Sequence, residues 1–284
     1  MLPVVAVIGA LLGYPLYRLV TLSFQQYQLP ELIQRKGVWI GLDNYTSVLR
    51  DEVFWDTLVR TVIFTAANVG LTMVLGTLLA LLLVRVSSWL RVMLTAGLVL
   101  VWSMPVVVAV QVFVWMTDFQ NGILNHLLAK VGITEEQHDW YATPFSDLAM
   151  VTVLIVWGAI PFVTITVYAA LTQVPRELVE AAEIDGASPV RVFRDVTFPV
   201  LKPILLILTS LSIIWDFAAF TQPWLLISPS QIDETNYLMG VYIYAEGYLR
   251  SDFGRGAAIS LLMVALVAVL SIVPVRRMVK AEDA

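Results

Sequence analysis

Catalysis by side chains needs nucleophiles, acid–base pairs or metal ligands gathered in one place, and this chain offers few of them. It has no cysteine, which excludes disulfides, thiolate metal sites and cysteine nucleophiles. Its two histidines, His126 and His138, fall in one polar stretch and read as solvated loop residues, because histidine's other roles need positioned partners. The four lysines are Lys36, Lys130, Lys202 and Lys280, and none stands in a G-x-x-x-x-G-K-[ST] context that would cradle phosphates. No cofactor is therefore expected on this chain, and any ATP it depends on is bound by another.

The most conspicuous ionisable group is Asp216, in the run WDFAAFTQPW at 215–224. A carboxylate inside an apolar segment is costly and normally faces a bundle interior or a water path. Trp215, Phe217 and Phe220 supply aromatic surface beside it, and Gln222 supplies an amide. Aromatic walls with a few acceptors suit a sugar, which presents C–H groups on its faces and hydroxyls at its edges. A second reading has Asp216 pairing with an arginine or capping a backbone break at a subunit contact. Asn68 and Gln111 are further path candidates, and as intramembrane amides they also read as glue between helices.

The elements that would hold these residues are membrane helices. Apolar residues make up 59% of the 284 and charged residues only 14%, against about 25% charged in a soluble domain. Such a chain cannot supply a polar surface, and the bilayer is the solvent that tolerates it. The net charge of −5 leaves no basic face for nucleic acid. A spanning helix needs about 20 mostly apolar residues, and about six stretches qualify: 2–24, 58–84, 92–116, 148–172, 204–227 and 256–275. The first lacks the basic start and small-residue cleavage site of a signal peptide and is read as a helix. Prolines fall inside several spans (Pro15, Pro105, Pro161, Pro223, Pro274), which fits kinked helices around a cavity or ordinary membrane usage. Trp55, Trp89, Trp115, Trp140 and Trp224 lie near span ends, as in an interfacial belt. Between the first two spans, 42–60 reads as one amphipathic helix at the outer surface.

Lysine and arginine placement sets the expected orientation. With both termini cytoplasmic, the inner segments carry Arg85, Arg91, Arg176, Arg191, Arg194, Lys202, Arg276, Arg277 and Lys280. The longer outer loops carry Arg35, Lys36, Arg50, Lys130, Arg250 and Arg255.

The longest inner loop, 173–203, reads QVPRELVEAAEIDGASPVRVFRDVTFPVLKP. Pro175 suits a first helical position and Glu177 a first turn. Leu178, Ala181 and Ala182 share a face. Gly186 can end the helix in the left-handed conformation. Ser188 and Pro189 can start a second helix, with Val192, Phe193 and Val196 on its apolar side, and Pro199 and Pro203 are expected to break it. Two readings fit this pattern. One is a hairpin that merely joins two spans; the other is a docking element with a small-residue face and the acids Glu177, Glu180 and Glu183.

The loop resembles the EAA loop of ABC importer permeases: Glu180-Ala181-Ala182, three residues, Gly186, nine residues, then Val196, Phe198 and Pro199. Phe198 stands where leucine is commoner. The longer form EAAEIDGAS, with GLDNY at 41–45, FWDTL at 54–58 and NGILN at 121–125, is similar to the carbohydrate branch, the relatives of the maltose-system permeases. The resemblance implies an all-α polytopic membrane protein with the type I importer permease fold, a single permease domain over 1–284. It implies that 173–203 is the cytoplasmic coupling loop, with Glu180, Ala181, Ala182 and Gly186 docking on an ATPase subunit. It implies a non-enzymatic subunit of an importer in a bacterial cell membrane, carrying a di- or oligosaccharide. The implied partners are a second permease in a heterodimer, two copies of an ATP-binding subunit holding ATP and Mg, and an extracytoplasmic sugar-binding protein. The stretch around Asp216 resembles the fifth-span region that lines the path in that family. Rival readings are the same fold with a polyol phosphate or polyamine as cargo, and a gradient-driven transporter. The latter would carry internal repeats with paired broken helices, and the two halves show no such repeat.

Overall fold

The computed structural model describes residues 7, 9–133, 137–227 and 232–282, most of them helical. In chain order the helices are α1 (Tyr14–Ser23), α2 (Leu29–Gln34), α3 (Asp43–Leu49), α4 (Glu52–Arg85), α5 (Ser88–Trp102), α6 (Val106–Met116) and α7 (Ile123–Lys130). They continue as α8 (Pro144–Leu171), α9 (Arg176–Ile184), α10 (Pro189–Val192), α11 (Phe198–Phe217), α12 (Thr221–Leu226), α13 (Met239–Tyr244) and α14 (Phe253–Glu282). Two-residue strands β1 (Gln25–Gln26) and β2 (Val38–Trp39) pair antiparallel around α2, Gln25 opposite Trp39.

Among the described residues four helical stretches are long and apolar enough to cross a bilayer: Glu52–Arg85, Pro144–Leu171, Pro189–Phe217 and Phe253–Ile272. A fifth crossing is available if α5 and α6 count as one bent span. The first expected span, 2–24, lies partly outside the described residues; its described part is a π-helical turn, Gly9–Gly13, leading into α1.

Four expectations are corrected. The third span, 92–116, is not a continuous helix: α5 and α6 meet at 98°. Pro105 lacks an N–H and pushes the preceding residue out of the helical region, so the chain breaks there. The fifth span, 204–227, is also interrupted, since the helix begins earlier, at Pro189, and stops at Phe217. Pro223 cannot donate to the carbonyl of Ala219 and its ring would collide with that carbonyl, so helix cannot run through 218–220. Conversely, Pro199 and Pro203 do not break the chain. The wide π-helical turn Phe193–Thr197 precedes Pro199, where an ordinary turn would meet its ring, and the helix carries on. Finally, 42–60 is two elements rather than one. Asp51 accepts the N–H of Val53 through Oδ1 at 3.0 Å and starts α4 afresh.

The chain folds as two units. One comprises Met1–Val62, Phe217–Phe220 and Ile232–Leu270. Here Asn44 Nδ2 donates to the carbonyls of Ser23 (3.0 Å) and Gln25 (2.9 Å), which gives the GLDNY stretch a structural reason. The amide of Phe253 donates to the carbonyl of Tyr27 (3.0 Å), and that of Met239 to Thr61 Oγ1 (2.9 Å). Its charged centre is Glu246, whose side chain is buried. Arg250 Nη1 donates to it at 2.5 Å, and Arg255 Nε lies 2.9 Å from it. Arg255 also pairs with Asp51, to which the Tyr242 hydroxyl donates at 3.3 Å. Acids and arginines that the sequence assigns to outer segments are thus partly drawn inside, where each must be paired.

The other unit comprises Ile63–Asp216, Thr221–Gln231 and Ser271–Ala284. Its core joins Ala80, Val163, Val167, Ala170, Leu201 and Leu208, from α4, α8 and α11. Helices α4 and α8 cross at Gly76, where a Cβ would come within 2.6 Å of Val163 Cγ1; only glycine permits that approach. In the α7 region the last residue of NGILN, Asn125, donates to the carbonyl of His138 (2.9 Å) and accepts from Trp140 Nε1 (2.6 Å).

Candidate functional site

The loop 173–203 folds locally much as its residues dictate. Pro175 sits at the N-cap of α9 rather than inside it, and Glu177 lies in the first turn. At the other end Gly186 adopts φ +79°, the left-handed region. The amide of Gly186 donates to the carbonyl of Glu183 and that of Ala187 to the carbonyl of Ala182, both at 3.0 Å. This paired closure is the Schellman cap, and it requires a residue free to take positive φ. Ser188 then caps α10, accepting the amide of Arg191 at 3.4 Å.

The loop turns an unpartnered surface outward. Leu178 is 52% exposed, Val190 76% and Ile184 86%, while Ala181 is exposed and Ala182 half-buried. Apolar groups are thus exposed on an otherwise charged loop. Behind it lies a cleft of about 570 Å³ lined by Glu180, Glu183, Arg85, Arg91 and Tyr168, among others. Arg91 is already committed there. Its guanidinium donates to the carbonyls of Leu83 (2.8 Å) and Val86 (3.0 Å), closing the end of α4, and sits 5.8 Å from the Tyr168 ring centre.

A second constellation forms in the same unit around Trp215 and Asp216. Trp215 meets Phe162 edge-on at 5.7 Å, and Phe162 stacks on Trp102 at 6.0 Å and 18°. Trp215 and Trp102 are 55% and 59% exposed, so the three rings form a wall rather than a core. Trp102 owes its position to the Pro105 break that ends α5, and Phe162 follows Pro161 within α8. Asp216 is only 7% exposed. Among the described residues no hydrogen bond or ion pair reaches its carboxylate, so the arginine-paired reading has no counterpart here.

The remaining candidates separate. Phe217 is fully buried and offers no surface. Phe220 belongs to the other unit, where its ring lies 5.1 Å from that of Tyr244. Gln222 is partly exposed on α12 and Gln111 is exposed on α6. Asn68 is fully buried, its Nδ2 donating to the carbonyl of Phe64 at 2.8 Å while Oδ1 has no partner. That bond stays within α4, and its burial leaves it no exposed surface. Trp102 and Phe162 were invisible to local pattern. Each is adjacent to a proline-marked irregularity, and that is the one signal the sequence carries for them.

Comparison with known proteins agrees with these elements. Residues 72–280 match the family described as binding-protein-dependent transport system inner membrane component. The diacetylchitobiose uptake system permease protein DasB of Streptomyces coelicolor is 43% identical over 284 residues, covering 100% of this chain and 86% of DasB. The sulfoquinovosyl glycerol transport system permease protein SmoG of Agrobacterium fabrum is 29% identical, covering 93% of this chain and 84% of SmoG. In fold, the chain is similar to a subunit of a bacterial ABC transporter involved in import of the acidic polysaccharide alginate. The TM-score is 0.84 at 19% identity, over 98% of this chain and 93% of that one. The chain belongs to the family of inner membrane components of binding-protein-dependent transport systems.

Proposed function

We propose that this chain forms one half of the translocation path of an ATP-driven carbohydrate importer, with a second permease as the other half. The chain is a membrane permease subunit, not an enzyme. The cargo reading is carried by one observation: the ring wall Trp102–Phe162–Trp215 beside a buried carboxylate, Asp216, that has no partner among the described residues. The rings offer faces for sugar C–H groups and the carboxylate accepts from hydroxyls, while a dry surrounding strengthens that bond. A di- or oligosaccharide is the cargo that fits several rings in a row, in keeping with the named cargoes of DasB and SmoG.

In this reading two copies of a cytoplasmic ATPase hold the ATP and Mg. One of them seats α9, with Glu180, Ala181, Ala182 and Gly186 at the contact and the apolar Leu178, Ile184 and Val190 around it. Closure of the ATPase pair moves the loop, and α11, continuous with it, carries that motion to Trp215 and Asp216. A binding protein delivers sugar from the extracytoplasmic side, and both termini lie in the cytoplasm. Conformational coupling, not bond chemistry, is the work of this chain.

Uptake of radiolabelled diacetylchitobiose, a polyamine and a phosphorylated polyol into proteoliposomes carrying the complete transporter tests the reading. Sugar uptake should fall about tenfold in Trp215→Ala, the order expected for one lost aromatic contact. Asp216→Asn should lower it less than Asp216→Ala. Uptake of the polyamine or the polyol phosphate with none of the sugar would overturn the carbohydrate assignment.

A further inference from the structure

A file of aromatic rings runs through the unit that contains Phe220. Phe220 and Tyr244 have ring centres 5.1 Å apart, and Tyr244 and Tyr248 stack at 5.2 Å with only 16° between their planes. Tyr248 then meets Phe253 edge-on at 6.1 Å, and Phe253 meets Tyr27 at 6.4 Å. Tyr27 is 8% exposed, whereas Tyr248 is 69% exposed, so the file opens outward at Tyr248. Its backbone there is unusual. Ala245–Leu249 is a π-helical turn, a rare conformation frequent at functional sites. Buried Glu246, gripped by Arg250 and Arg255, anchors that turn from within. Polar groups follow it in sequence: Arg250 pairs with Glu234 at 2.8 Å, and Asp252 accepts from Gln28 at 2.9 Å, all at the surface.

We propose that the open face of Tyr248 is a stacking site for a pyranose ring at the extracytoplasmic surface, additional to the wall at Trp215. The inference rests on the carbohydrate reading above and on its orientation, in which 232–252 lies outside. A tyrosine ring offers a flat, rigid face for sugar C–H groups, and backing by Tyr244 fixes it before the ligand arrives, which lowers the ordering cost of binding. The flanking guanidinium, carboxylates and amide supply both donors and acceptors for hydroxyls at the ring's edge. One exposed face with a polar rim makes a weak site, suited to receiving a sugar rather than retaining it.

The test is diacetylchitobiose uptake by the complete transporter in proteoliposomes, with KM and kcat measured separately. Tyr248→Ala should raise KM about tenfold with kcat little changed, while Tyr248→Trp, which keeps a stacking face, should stay within about twofold of the parent. Tyr244→Ala should raise KM by a smaller factor. Unchanged KM in Tyr248→Ala overturns the proposal and leaves the import reading standing. So does a loss confined to kcat, or an equal loss in the alanine and tryptophan variants, since those outcomes mark a packing or lipid-contact role. A parent transporter that takes up no diacetylchitobiose, chito-oligosaccharide or maltose sinks the import reading, and this proposal falls with it.

Discussion

Replacing Gly186 by alanine isolates the backbone contribution to the loop proposed to dock on the ATPase. A Cβ at this position meets nothing within 4 Å, so crowding contributes nothing. What alanine must do is hold φ near +79°, which costs a residue with a side chain roughly 1–2 kcal/mol. That cost falls on the closed turn alone, because an opened loop can relax to negative φ. The closed population therefore drops by about five- to thirtyfold relative to the open one. Two readouts follow. Amide exchange at Ala187, whose N–H is held by the carbonyl of Ala182, should quicken by that factor. Affinity for the ATPase subunit in nanodiscs should fall in step wherever opened loops become a substantial fraction, since binding draws only on the closed form. Asparagine, which tolerates the left-handed region, should recover most of both, and proline, whose φ is fixed near −65°, should recover neither. If alanine and asparagine behave alike, or if alanine leaves exchange at Ala187 unchanged, the backbone argument is wrong.

Two further outcomes test the unit built around Glu246. Gly240 lies where a Cβ would approach the carbonyl oxygen of Ala219 to 2.7 Å, so Gly240→Ala should lower stability by about 1–3 kcal/mol. Thermal unfolding in detergent would reveal it, and an unchanged midpoint would rule out tight seating of α13 on 218–219. Burial pushes the Tyr242 phenol up to about 12, against about 10 in an unfolded chain. The folded form thus holds this proton more tightly, and the stability it contributes is intact below about pH 10 and lost as pH climbs toward about 12. Alkaline unfolding followed by phenolate absorbance should be steeper in this window for the parent than for Tyr242→Phe.

Much of this architecture is readable from the chain because its dominant signals are local. Apolar runs announce α4, α8 and α14, and the glycine of 173–203 announces the end of α9. Positive φ at Gly186 and the cap by Ser188 were both available from residue type and position. The errors arise where a second segment decides. Residue type marks proline at 199 as a breaker, yet a π-helical turn absorbs it; proline at 223 falls within an apolar run that tolerates it, yet it ends α11 six residues earlier. The 98° bend at Pro105 sets Trp102 against Phe162, an encounter between helices some 60 positions apart that no periodicity reports. Asp216 stood out as an ionisable group in an apolar run. Whether a counter-charge meets it depends on the helices packed around α11, which its own run does not report. The pairing of Asp51 and Glu246 is not legible locally, because Arg255 lies far along the chain from the first and beyond a helical turn from the second.

That separation has a consequence for how the protein is made. Asp51 finds its arginine 204 residues later, at Arg255, and Gln28 meets Asp252 after 224. At about 5–20 residues per second of synthesis, Asp51 waits on the order of 10–40 s for its counter-charge. During that interval the early helices are threaded into the bilayer while the segment around α3 stays unfinished. Completion of that unit thus depends on α14 leaving the ribosome, and a chain truncated before Phe253 would display an unmatched carboxylate to quality-control proteases.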